Sequence, residues 1–229
     1  MSGYVTGSAI VGIKYRDGVL LAADTKLSYG RMSRVTNYER LEQVSPTSVF
    51  CSSGDAADHQ YISKFLKKAV HNELLANNND LSKVSMDAKM LHNYMARVFY
   101  ARRSKLDPIV SAAVIAGISD GEPFLGYSDY YGTKYTDDFI TTGFGKYFAI
   151  GPLREEHRAD MSKEEATDLA IRCMRLLYLR DCTASNKIQI AHVTKDGVVI
   201  QEPFFFDSKW HFEKFVKPTS ALPIAGTQF

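Results

Sequence analysis

The sequence predicts an α+β protein, a four-layer αββα sandwich of two packed sheets between helical layers, with an extended C-terminal tail. Asp17-Gly18 and Asp196-Gly197 are hairpin turn signals, each between apolar runs. Those runs are continuously apolar rather than alternating, as strands covered on both faces must be. Amphipathic helices with one apolar face separate the strand blocks, and two-sided strands and one-sided helices satisfy each other only in layers. A chain of 229 residues, 45% hydrophobic and 24% charged, suits a single core.

In order, residues 8–15 and 19–23 form the first hairpin around Arg16-Asp17-Gly18. Residues 47–52 form the next strand, stopping at Ser53-Gly54. A helix follows with Asp55 at its N-cap and Ala57, Tyr61, Ile62, Phe65, Leu66 and Ala69 at three-and-four spacing. Asn77-Asn78-Asn79-Asp80 breaks it. A second helix, about 85–104, carries Met90, Leu91, Tyr94, Met95, Val98 and Arg102 along one stripe. Strands are expected at 112–118, 123–127 and 139–141, then a short helix from about 146. The next helix opens on Ser162-Lys163-Glu164-Glu165, the spacing of a capping box. Its apolar face is Ala166, Leu169, Ala170, Cys173, Leu176 and Leu177. A hairpin of 188–193 and 198–201 closes the folded part. Residues after about 215 hold two prolines and no period, which predicts an extended segment.

Composition excludes several functions. Twenty-eight Lys and Arg against 26 Asp and Glu leave +2, too balanced for the basic field that nucleic acid or an anionic membrane demands. Three cysteines, with no C-x-x-C pair, fit a reducing compartment. No cationic-then-apolar leader, no run of about 18 apolar residues and no Asn-x-Ser/Thr sequon is present. The cytosol or nucleus is the expected location. Thirteen Phe and thirteen Tyr exceed what a core of this size needs, which points to buried subunit interface. Gly7-x-x-x-x-Gly12 has P-loop spacing but continues Ile13-Lys14-Tyr15 within a strand, and the six His are scattered. No metal or other cofactor is expected.

A first strand starting at Gly7-Ser8 raises one chemistry: a hydroxyl nucleophile freed as a new N-terminus, with its own amine as base. An α-amino group of reference pKa about 7.7–8.0 is suited to take a hydroxyl proton near neutrality.

The stretches Gly7-Ser8-Ala9, Asp17-Gly18-Val19-Leu20-Leu21-Ala22-Ala23-Asp24, Ser28-Tyr29-Gly30, Ser53-Gly54-Asp55-Ala56-Ala57-Asp58 and Tyr178-Leu179-Arg180-Asp181 resemble the β subunits of the twenty-S proteasome. The resemblance runs from about Val5 to Phe215 and implies the N-terminal-nucleophile hydrolase fold. Val5-Thr6-Gly7, Arg102-Arg103-Ser104-Lys105 and Thr142-Gly143-Phe144-Gly145 are similar to one non-catalytic eukaryotic branch. The implied organisation is a propeptide-like segment (1–7), the β-type domain (8–215) and a C-terminal arm (216–229).

Active members of the family use a threonine, an aspartate, a lysine, and a serine-bearing loop with a second aspartate. By position, the threonine is Ser8, the first aspartate is Asp24, the lysine is Arg40 and the second aspartate is Asp181. The two serines are Ala184 and Phe144. Four of these six positions have departed. Arginine stays protonated and cannot relay a proton, so the implied site is dead and Asp24 pairs with Arg40 as a structural ion pair. The resemblance also implies partners: other β subunits of the same and the opposite ring, and α-ring subunits. The arm, through Leu222, Ile224 and Phe229, would embrace a subunit of the opposite ring. The competing reading is a serine-type hydrolase that cleaves itself before Ser8; a weaker one is a free-standing binding module.

Overall fold

A computed structural model describes residues 4–78, 80 and 86–209. A short strand, β1 (Val5–Gly7), precedes the first hairpin, β2 (Ile10–Tyr15) and β3 (Gly18–Asp24). Then come β4 (Leu27–Tyr29), β5 (Met32–Val35), β6 (Glu42–Ser45) and β7 (Ser48–Asp55). Two long helices, α1 (Ala56–Ala76) and α2 (Ala88–Ser104), lead to β8 (Ser111–Ser119), β9 (Glu122–Asp129), β10 (Lys134–Thr136) and β11 (Phe139–Thr141). Helices α3 (Gly145–Phe148), α4 (Ile150–Glu156) and α5 (Lys163–Arg180) precede β12 (Lys187–Thr194), β13 (Gly197–Ile200) and β14 (Phe204–Phe205).

The strands form two antiparallel sheets. The larger runs β10-β9-β8-β7-β1-β4-β5 with β6 also on β7; the smaller runs β11-β2-β3-β12-β13 with β14 also on β12. Successive residues of β3 explain the continuous apolar pattern. Leu20 and Ala22 pack toward α4 and α5, while Val19, Leu21 and Ala23 pack between the sheets against Val49, Val114 and Leu125. A third cluster joins the larger sheet to α1 and α2 through Phe50, Ile62, Leu91, Met95 and Phe99. The order of layers is helix, sheet, sheet, helix, as expected.

Details depart from expectation for identifiable reasons. Tyr15 pairs with Gly18 and Thr194 with Gly197, so the turns are Arg16-Asp17 and Lys195-Asp196, with each glycine opening the following strand. At Gly18 a Cβ would lie 2.3 Å from the Val193 carbonyl oxygen, so close strand approach, not turn geometry, demands glycine there. A third Asp-Gly pair does make the turn itself. Asp120 and Gly121, at φ 53° and 79°, link Ser119 to its partner Glu122, as a type I′ turn requires.

The buried faces of the first two helices are rotated from those predicted. Tyr61 and Met90 are exposed, while His59 and His92 turn inward. Each histidine has a distant partner that local periodicity cannot register: Nε2 of His92 donates to the Tyr127 carbonyl at 2.8 Å. In α5, Met174 rather than Leu176 completes the buried face. The capping box is present, with Glu165 N–H donating to Ser162 Oγ and Ser162 N–H to Glu165 Oε2. Ser162→Ala is expected to cost about 1 kcal/mol, read as a lower urea midpoint at unchanged slope.

Val5–Gly7, within the propeptide-like segment, forms a strand inside the larger sheet. The arm, with Leu222, Ile224 and Phe229, lies outside the described residues.

Candidate functional site

Ser8 sits where β1 passes into β2, Asp24 ends β3, and Arg40 comes from the segment between β5 and β6. Antiparallel pairing of β2 with β3 brings the first two together. Ser8 Oγ donates to Asp24 Oδ1 at 2.8 Å, and Arg40 Nη2 donates to the same oxygen at 2.5 Å. The Ser185 N–H donates to Oδ2 at 2.8 Å. Burial pushes the Asp24 carboxyl above its usual range, and the Arg40 guanidinium and these donors oppose that shift.

Arg40 is only 2% exposed, and its fork is spent on backbone. Its Nε donates to the Asp24 carbonyl at 3.0 Å, and Nη1 donates to the carbonyls of Ser8 at 2.8 Å and Ser52 at 3.4 Å. Nη2 also reaches the Ala9 carbonyl at 3.4 Å. One guanidinium thus ties the Ser8-Ala9 link between β1 and β2 to β3 and β7. It lies against Gly7 so closely that a Cβ there would be 2.8 Å from Nη1 and 2.9 Å from Cδ.

The other positions do not join this cluster. Asp181 Oδ1 accepts from the N–H and Oγ of Thr183, closing the turn after α5. Ala184 is buried, and its carbonyl accepts from Lys26 Nζ at 3.0 Å. Phe144, 53% exposed, stands at the mouth of an open cleft of about 430 Å³ that Ser8, Tyr130 and Tyr147 also line. Its loop is pinned to β2 by the Ile10 N–H, which donates to Thr142 Oγ1 at 3.0 Å.

Whether the bond between Gly7 and Ser8 is cut decides whether an amine-based chemistry is open to Ser8. Thr6 pairs with Asp55 on one side and Ser28 on the other, and Gly7 with Gly54 and Leu27. β1 therefore fills the slot between β4 and β7 beside Ser8. In the uncut chain the nitrogen of Ser8 is an amide, whose delocalised lone pair cannot take the hydroxyl proton, so only cleavage before Ser8 would supply an amine base.

Sequence reasoning missed Ser185, which acts through its backbone, and a buried row behind the site. Ser52 Oγ lies 2.9 Å from His59 Nδ1, and His59 Nε2 lies 3.1 Å from Glu42 Oε1. Despite its order of groups this row is not a nucleophilic triad, since Ser52 is 2% exposed and does not line the cleft. It anchors α1 to β6 and β7. Burial pushes the Glu42 carboxyl up, but hydrogen bonds from His59, Lys67 and Ser63 outweigh it and hold the group at about 2. A depressed carboxylate stabilises above its unfolded value, near 4.5, and that contribution is lost as pH falls toward 2. Glu42→Gln is expected to remove about 1–2 kcal/mol of acid sensitivity in that window, after screening of a quarter-exposed side chain. Urea midpoints measured between pH 5 and 2 check it.

Sheets stacked between helical layers, with a hydroxyl at the head of the first hairpin facing a buried carboxylate, form the N-terminal-nucleophile hydrolase fold. Within that class the chain belongs to the proteasome subunit family, whose model matches residues 4–193. It is similar to "Proteasome subunit beta type-4" of Arabidopsis thaliana, 39% identical over 95% of this chain and 87% of that protein. It is also similar to the subunit of the same name from Xenopus laevis, at 38% over 93% and 87%. "Probable proteasome subunit beta type-7" of Schizosaccharomyces pombe matches at 36% over 91% and 80%. Beta type-4, also called the seventh β subunit, is the branch that the Val5, Arg102 and Thr142 motifs anticipate.

Proposed function

We propose that this chain is a non-catalytic β subunit of the proteasome core particle. It fills one place in a β ring, against neighbouring β subunits and the α ring, in the cytoplasm and nucleus. The observation that carries this reading is Arg40: a permanently charged guanidinium, fixed on four carbonyls and Asp24, stands where proton relay would need a lysine. Phe144 and Ala184 supply no hydroxyl to orient an amine or a water. The names of the relatives support the assembly role.

Intact-mass analysis of the chain from assembled particles tests the alternative of a self-cleaving serine hydrolase. The expected result is an uncut Gly7–Ser8 bond, with the particle's peptidase activity unchanged by Ser8→Ala. A chain beginning at Ser8, with activity lost in Ser8→Ala, would establish the alternative. Residues 216–229 add an assembly prediction: deleting them blocks the joining of half-assembled particles. A normal yield of complete particles from the truncated chain would refute that role.

A further inference from the structure

Three buried histidines lie among the described residues, and two of them are tied down by hydrogen bonds. His59 is bonded to Ser52 and Glu42, and His92 to the Tyr127 carbonyl. The third, His192 in β12, is 2% exposed, and neither of its ring nitrogens has a hydrogen-bond partner among the described residues. Tyr15 stands edge-on to it, with 6.2 Å between ring centroids, and the buried Tyr15 hydroxyl has no partner among them either. That hydroxyl lies over Gly18, where a Cβ would be 2.8 Å from it, so both side chains occupy the same end of the smaller sheet. Apolar side chains in these places would spare the cost of burying polar atoms unpaired.

This end of the sheet is where α5 begins. Tyr15 packs in one cluster with Met161, Ala166 and Leu169, and the Arg16 N–H donates to the Met161 carbonyl at 3.1 Å just before the Ser162 cap. Lys163 and Glu164, exposed in the first turn of α5, are the charged groups that act on His192. The strands on either side place apolar Leu20 and Val199 opposite it. Tyr15 brings no charge, because burial first, then Asp17 and Glu164, push its hydroxyl up to about 12.

We propose that His192 is a proton-operated latch, which lets the start of α5 lie on the smaller sheet while neutral and drives the two apart when charged. An imidazolium carries two N–H donors, and neither nitrogen has an acceptor in place. The positive pole of the helix and Lys163 both repel such a charge, and Glu164 opposes them. Burial first, then Lys163, hold the imidazole down at about 4 against an ordinary 6.5. The unfolded chain therefore takes up the proton before the folded one does. The stability contributed is complete above 6.5 and is lost as pH falls toward 4. α5 runs on to the Asp181 turn, beyond which the Ser185 N–H reaches Asp24, so an opened seam also loosens the shell of that carboxylate.

NMR of the His192 ring protons in the full chain reads the titration directly. The midpoint is expected at about 4, moving up in Lys163→Gln and down in Glu164→Gln. A midpoint at 6.5 or above would overturn the latch. Urea unfolding between pH 7 and 4 reads the linkage: the folding equilibrium constant of the unaltered chain is expected to fall about a hundredfold more than that of His192→Phe. Protection factors from hydrogen exchange should place the early loss in α5 and β12. Parallel pH profiles of the two chains, or a loss shared equally by α1 and α2, would reduce His192 to a packing residue. Where His192→Phe fails to fold, His192→Gln takes its place, since it stays polar and cannot bind the proton.

Discussion

Arg40→Met is expected to destabilise the chain by about 3–5 kcal/mol, because removing one member of a buried ion pair strands the other. Asp24 would keep the Ser8 hydroxyl and the Ser185 N–H but lose its countercharge in a site where it is 1% exposed. Four carbonyls would lose a donor at the same time. Replacing both partners, as Arg40→Met with Asp24→Leu, removes the stranded charge and is expected to cost clearly less than the single change. Urea unfolding of the two variants checks the difference. A loss below about 1 kcal/mol for Arg40→Met would mean that the pair contributes little.

Gly7→Ala should cost about 2–3 kcal/mol through the same residue, because its methyl group would enter space that Arg40 fills. An arginine end is ordinarily able to move aside, but this one is held by hydrogen bonds to Ser8, Ala9, β3 and β7. The penalty therefore depends on Arg40 being present. In Arg40→Ala the added methyl meets no guanidinium, and the two changes should be non-additive by about 1–3 kcal/mol. Full additivity in a double-mutant cycle would show that Gly7 is needed for some other reason.

Legibility of the fold followed the range of each signal. The long strands and the α5 cap could be read because apolar runs and Ser162-x-x-Glu165 are local patterns. β1, β4 and β10 are three residues each and offer no period to detect, whereas β11, equally short, is marked by the apolar, β-branched run Phe139-Ile140-Thr141. The inward turn of His59 and His92 depends on Ser52, Glu42 and Tyr127, supplied by other elements. At the site, the pairing of Asp24 with Arg40 could be anticipated from charge once a resemblance had aligned the positions. That a backbone N–H of Ser185 would complete the aspartate's shell could not, since a backbone donor leaves no side-chain pattern.

The position of β1 also has a consequence for folding kinetics. Residues 5–7 precede in the chain every strand they pair with, and their slot does not exist until β4 and β7 have been made and set in place, with Asp55 as the last pairing residue. Among the described residues, β1 alone links β7 to β4 in the path of the larger sheet. Until it is seated, the β4–β5 hairpin and the rest of that sheet face each other with unpaired edges, the state most open to pairing with the wrong chain. β1 is therefore among the last parts of the larger sheet to be locked. A bulky fusion placed before Tyr4 should slow the closing step of folding even where it leaves the finished structure unchanged.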